Sequence, residues 1–219
     1  MSDSSCSGFL AFFEELFGDV TTADGYRYSA KDDLGRRLDT LKIIENPRGG
    51  YLGLYHYSRT GNPRDFNVSL AISTDILNWK FNRTIEPEAS QPTITRAPNG
   101  AYIVAFEKHV FIGTKEERHL GFYYFPNLTS LLTNSSAVKY IAPLALAAQL
   151  EGTPNIYNIT IDKSIMGVCI DFHYNNALGL DRVAVGHLTI PLGNPSIKGH
   201  IGDRDYGVIF GRNFTLQEA

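Results

Sequence analysis

Gln91-Pro92-Thr93-Ile94, then Pro98-Asn99-Gly100, then Tyr102-Ile103-Val104-Ala105-Phe106 is the stretch that decides the fold. Aromatic and β-branched residues run together on either side of an Asn-Gly turn, and that combination reads as a β-hairpin. The same unit recurs in both directions along the chain. Asp39-Thr40-Leu41-Lys42-Ile43 leads through Asn46-Pro47-Arg48-Gly49-Gly50 into Tyr51–Tyr57, and Thr153-Pro154-Asn155-Ile156-Tyr157 leads through Asp162-Lys163 into Met166–Tyr174. Ser196-Ile197-Lys198-Gly199-His200-Ile201, followed by Asp205-Tyr206-Gly207 and Val208-Ile209-Phe210, reads as the opening of a fourth unit. Each of the first three hairpins is followed by a further strand, at Leu70–Ser73, Leu120–Tyr124 and Val183–His187.

These repeats imply an all-β chain. Unit starts at 39, 91, 153 and 196 lie 52, 62 and 43 residues apart. This points to four-stranded propeller blades, with their period of roughly 40–50 residues lengthened by insertions. The expectation is an N-terminal segment, 1–38, and a partial β-propeller domain, 39–219, holding three blades and part of a fourth. A β-sandwich with coincidental spacing is the alternative. A five-bladed ring needs roughly 250–300 residues by the same repeat arithmetic, and the chain has 219. Open sheet edges and inter-blade faces would then call for missing blades or a second copy, a homo-oligomer, to cover them.

Composition narrows the function classes. A formal net charge of −3 lacks the basic stripe of a phosphate-backbone binder, so no nucleic-acid partner is expected. No apolar run reaches the roughly 18 residues of a membrane helix, and no membrane partner is expected. Cys6 and Cys169 cannot build a disulfide framework or a zinc site by themselves. No metal set and no cofactor is indicated, and P-loop, nucleophile-elbow and Rossmann motifs are missing. The first twenty residues have no basic lead before their apolar patch, unlike a signal peptide. Asn-x-Ser/Thr sequons at Asn67, Asn82, Asn127, Asn134, Asn158 and Asn213 nevertheless lean towards a secreted protein.

The first unit ends in Ala71-Ile72-Ser73-Thr74-Asp75-Ile76-Leu77-Asn78-Trp79. Its Ser-x-Asp-x-x-x-Trp spacing resembles the signature of five-bladed propeller glycoside hydrolases, those of family 43 and the neighbouring fructan-cleaving families. Asp75 would tie the turn to its own backbone, and Trp79 would pack between blades. The resemblance implies hydrolysis of oligo- or polysaccharide bonds by paired carboxylates on either side of the glycosidic oxygen. It puts the base at Asp39, the orienting residue at Gln91, and the general acid at Glu151 in Glu151-Gly152-Thr153-Pro154. An Asp is expected where Gln91 stands, and Gln supplies no charge to raise an acid's pKa.

His56, Glu107 and Asp171 follow Asp39, Gln91 and Thr153 at similar distances and are expected to face one channel. His109 and His173, two residues beyond Glu107 and Asp171, share their faces. With Arg204, between Asp203 and Asp205, the residues His56, Glu107, Asp171 and His173 make a candidate sugar-binding set. A carbohydrate substrate or ligand is therefore the expected partner. A non-catalytic carbohydrate-binding propeller and a structural, protein-binding propeller are the alternatives to hydrolysis.

Overall fold

The computed structural model describes residues 21, 27–62, 65–147, 149–175 and 181–201. The chain divides into residues 1–30 and a second unit, Lys31–Ala219, so the segment just ahead of Asp39 belongs with the strands. The described residues are almost all β. A first antiparallel sheet runs in chain order through β1 (Asp39–Glu45), β2 (Tyr51–Ser58), β3 (Phe66–Ser73) and β4 (Lys80–Pro87). A second follows as β5 (Ala89–Arg96), β6 (Tyr102–Ile112), β7 (Lys115–Phe125) and β8 (Val138–Ile141). The third comprises β9 (Glu151–Asp162), β10 (Ile165–Asn175), β11 (Asp181–Pro191) and β12 (Lys198–Ile201).

Strand β12 corrects one expectation. Lys198–Ile201 was read as the opening of a fourth unit, yet it pairs with β11 from Thr189↔Lys198 to Gly186↔Ile201. The chain reverses through Gly193-Asn194-Pro195 and lies back along β11, completing the third sheet. The remainder of the expected fourth unit, Arg204 included, lies outside the described residues.

Sequence pattern explains how the sheets stack. In β6, Tyr102, Val104 and Phe106 pack with Leu52, Leu54, Val68 and Leu70 of the first sheet. The alternate residues Ile103 and Ala105 pack with Met166, Val168, Ile170 and Phe172 of the third. The unbroken apolar run of β6 thus marks a sheet buried on both faces. In β10 the buried residues alternate with Cys169, Asp171 and His173, which are only partly buried, so one face is core and the other is not.

The outer face of the first sheet is covered from within the chain. Trp79 is buried there, with its ring over Gly53, where an added Cβ would lie 2.5 Å from the indole. Its Nε1–H donates to the Ile76 carbonyl at 2.6 Å. It therefore seals the outer face and not a joint between sheets, the place expected for it. Residues 31–38 close over the same surface. The buried Asp32 carboxylate accepts from Tyr55 Oη at 2.6 Å and pairs with Arg36 at 2.8 Å, while Asp33 N–H donates to the Trp79 carbonyl. Arg36 in turn lies over the Phe81 ring, 3.6 Å from its centre. Asp75 ties the preceding turn as expected, its carboxylate accepting from the backbone of Leu77 and Asn78. The Asn78 side chain and backbone hydrogen bonds hold the Asp75 carboxyl down at about 2.

Several sequon asparagines have structural roles. Asn67 is buried and donates to Tyr57 Oη. Asn127 caps helix α1 (Leu128–Thr133) by accepting from Ser130 N–H, and Asn134 closes that helix in the left-handed conformation at φ 58°. Asn158 is exposed on β9, and Asn213 lies outside the described residues. No helix among the described residues is long and apolar enough to cross a membrane.

Candidate functional site

The inner strand of every sheet carries the same irregularity near its start. In β1, Asp39 pairs with His56 and Lys42 with Leu54, so Thr40 and Leu41 together oppose one residue. In β5, Ser90 pairs with Glu107 and Thr93 with Ala105, leaving Gln91 and Pro92 in that position. In β9, Gly152 pairs with His173 and Asn155 with Asp171, leaving Thr153 and Pro154. Each is a β-bulge whose first residue is left-handed: Thr40 at φ 52°, Gln91 at 47° and Thr153 at 50°. That conformation favours glycine and strains a β-branched threonine, at about 1–2 kcal/mol per residue.

Strands β1 and β9 each lie against β5, and the three bulges open on one pocket of about 360 Å³. Thr40, Gln91 and Thr153 supply polar groups, while Leu41, Pro92 and Pro154 supply the apolar surface between them. Lys42, Asn155, Asp171 and His173 complete the lining. The Asn155 amide donates to Asp171 Oδ2 at 3.1 Å and fixes that carboxylate.

The expected heads of the three units, Asp39, Gln91 and Thr153, are shifted by one residue in the first sheet, where Thr40 is the counterpart of Gln91. The residues paired just ahead of the bulges are His56 with Asp39, Glu107 with Ser90 and His173 with Gly152. The structural counterpart of His56 and Glu107 is therefore His173, whereas the expected Asp171 pairs with Asn155 just beyond the third bulge. Strand β9 is longer and bulges a second time at Tyr157, so a constant count from the head fails there.

His56 and Glu107 stand behind the bulges and do not line the pocket. His56 is buried, and its Nδ1 accepts from Gln91 N–H at 3.2 Å and lies 2.9 Å from Thr40 Oγ1. It joins the first bulge to the second. Burial pushes its pKa below the ordinary histidine value, against the raising influence of Asp39 and Glu107. Glu107 does the same one sheet on. Its Oε2 would lie 1.8 Å from a Cβ placed on Gly152, so only glycine fits at that bulge. Glu107 Oε1 accepts from Ser90 Oγ at 3.2 Å and pairs with Arg118 at 3.0 Å. Burial raises its pKa, but His109 and Arg118 more than reverse this and hold it below the usual carboxylate value.

Asp39 lies beside the first bulge, pairs with Arg37 at 3.5 Å, and is not among the lining residues. Glu151 is fully buried. Its Oε1 accepts from the backbone of Ala145, Leu146 and Ala147, tying down the loop between the second and third sheets. Asp171, His173 and Gln91 thus come together in the pocket, whereas His56, Glu107 and Glu151 hold the backbone around it. Thr40, Lys42 and Asn155 were missed by sequence reasoning, and Thr153 was read only as the head of its unit. Their signal is the repeated polar–apolar pair, Thr40-Leu41, Gln91-Pro92 and Thr153-Pro154, at the head of each inner strand. Among the described residues, no group of three or more His, Cys, Asp or Glu is arranged to hold a metal ion.

No protein-family model matches the chain, and no curated protein is significantly similar to it in sequence. Among solved structures it is similar to a mannose phosphorylase from Leishmania mexicana, at 9% identity and a TM-score of 0.43 over 76% of this chain and 52% of that one. It is also similar to an exo-β-1,3-galactanase from Phanerochaete chrysosporium, at 10% identity and a TM-score of 0.41 over 80% of this chain and 42% of that one. A hypothetical protein from Leishmania major gives 11% identity and a TM-score of 0.31 over 88% of this chain and 76% of that one. The chain matches about half the length of the phosphorylase and less than half that of the galactanase.

Proposed function

We propose that this chain binds carbohydrate at the pocket between its three inner strands, and that its sheets are consecutive blades of a β-propeller. The observation that carries the reading is the convergence of three left-handed, non-glycine bulges on one pocket. Strained backbone held at a shared surface is characteristic of sites where function selects the conformation. The chemistry supports a sugar. Gln91, Asn155 and Asp171 are planar groups suited to paired hydroxyls, and Thr40, Thr153 and His173 add single donors or acceptors. Pro92, Pro154 and Leu41 offer apolar surface to the C–H face of a ring. Only Asp171 and Lys42 in this lining carry formal charge, which suits a neutral ligand.

The test is a glycan array followed by calorimetry with the best ligand. Asp171→Ala and Gln91→Ala should each weaken binding by tenfold or more, about the loss expected for one hydrogen bond to a charged group or an equivalent paired contact. Retention of full affinity by both variants would overturn the pocket assignment. Hydrolysis, with Asp39 as base and Glu151 as acid, is read out in the same samples with aryl arabinosides and xylosides. Turnover abolished by Glu151→Gln and raised by Gln91→Asp would replace the binding reading with the enzymatic one.

A further inference from the structure

The outer face of the third sheet continues the pocket. On β10, Gly167, Cys169, Asp171 and His173 alternate with the buried Met166, Val168, Ile170 and Phe172, so all four project to that face. Asp171 and His173 line the bulge pocket at one end. At the other end, Gly167 lies in a second hollow of about 400 Å³ with Thr160, Asp162, Ser164, His187 and Thr189. Six residues of extended strand separate Gly167 from His173, roughly 20 Å at about 3.3 Å per residue.

Two rings lie along this line. Tyr157, the extra residue of the second β9 bulge, is 53% exposed, and its hydroxyl bonds Cys169 in the neighbourhood of Asp171. Its ring therefore rests across the sheet beside the pocket. His187 sits over Gly167, with Nε2 3.0 Å from where a Cβ would stand and Thr160 Oγ1 equally close. A side chain at position 167 would crowd both the imidazole and the Thr160 hydroxyl. Between the rings Asn155, Asn158 and Thr160 offer exposed neutral amides and a hydroxyl. Val183 and Val185, opposite His173 and Asp171, add apolar surface, and Asp162, Lys163 and the half-exposed Ile165 line the far hollow. Rings set among amides, hydroxyls and short apolar side chains suit the alternating C–H and hydroxyl surfaces of linked sugars.

We infer that this face extends the pocket into a track for a linear, neutral glycan chain, with Tyr157 and His187 as its two ring platforms. The inference rests on the carbohydrate reading above and adds that the ligand is a chain, not a single terminal sugar. It is tested by calorimetry with a length series, from monosaccharide to hexasaccharide, of the linear glycan selected on the array. Affinity should rise about tenfold or more with length, as one added ring contact would give. The Tyr157→Ala/His187→Ala variant should flatten that rise, and Tyr157→Phe should keep it. Thermal midpoints show that the variants are folded. Equal affinity for all lengths, or a length dependence unchanged in the double variant, overturns the track while the pocket stands. If no glycan of any length binds, the carbohydrate reading itself falls, and the track with it.

Discussion

The first and third sheets offer their outer faces to opposite uses. On the first, Trp79, Tyr55 and Ala71 are buried beneath residues 31–38, with Asp32 and Arg36 pairing inside the cover. On the third, Tyr157, Asn158 and Thr160 are exposed, and Asp171 and His173 lie on that face with Val183 and Val185. Both sheets put their inner faces against the same central sheet, so the difference arises from the sequence of the outer faces alone. The first outer face is aromatic and covered by residues 31–38, whereas among the described residues the third mixes polar groups with Val183, Val185 and Ile165. The lesson is that repeats of one topology can carry unlike outer faces.

The strongest way to break this comparison is to truncate one ring on each face. Trp79→Ala should lose about 3–5 kcal/mol, as large aromatic truncations in cores do. Tyr157→Ala should change stability by less than about 0.5 kcal/mol, the usual range at an exposed site. Chemical denaturation of both variants measures the pair. Similar losses would mean that the third face is also covered. Asp32→Ala comes next: it leaves the Tyr55 hydroxyl and the Arg36 guanidinium without their shared carboxylate, both beneath the cover. A loss of about 1–3 kcal/mol follows from orphaning buried polar groups. A fall in denaturant midpoint with unchanged slope would show that the cover is part of the cooperative unit.

Much of this architecture is legible in the residues. The Asn-Gly and Gly-Gly turns announce the hairpins, and the contrast between β6 and β10 announces which sheet is central. The heads of the inner strands are legible to within a residue, because the hairpin unit recurs there. What stayed hidden depends on register. One-residue bulges at Thr40, Gln91, Thr153 and Tyr157 change which side chain faces which, and periodicity alone does not show them. Asp171 and His173 line one pocket with Gln91, but the burial of His56, Glu107 and Glu151 follows from sheet stacking, which no local pattern encodes. The use of Glu151 to hold three loop amides is likewise a tertiary fact.

A smaller effect distinguishes the joints between sheets. His56 accepts a backbone hydrogen bond from Gln91 and sits buried near Asp39, Glu107 and His109, with its pKa lowered chiefly by burial. A depressed folded-state value means that the unfolded chain takes up the proton more readily. This contribution to stability is present above the unfolded value, about 6.5, and is lost as pH falls through the folded one. Denaturant midpoints from pH 7.5 down to 5 should fall more steeply in wild type than in His56→Asn. Parallel curves would show that protonation of His56 is not linked to unfolding.

The smallest change expected separates the equivalent bulges of the two end sheets. Thr40 and Thr153 have the same left-handed backbone, so glycine relieves the same strain at each, about 1–2 kcal/mol. Against this, glycine adds roughly 0.5–1 kcal/mol of chain entropy to the unfolded state at either site. The two positions differ in their hydroxyls. Thr40 Oγ1 lies 2.9 Å from His56 Nδ1, and loss of that hydrogen bond removes about 1 kcal/mol. Thr153 is exposed in the pocket lining. Thr153→Gly should therefore raise stability by up to about 1 kcal/mol, while Thr40→Gly gains less or nothing. If the pocket binds sugar, Thr153→Gly should also weaken that binding, so that stability and affinity move in opposite directions at one residue. Denaturation and calorimetry on the same preparation decide it. A Thr153→Gly protein that loses stability would show that the left-handed bulge is held by contacts of the threonine side chain, and the strain argument for the pocket would lose its footing.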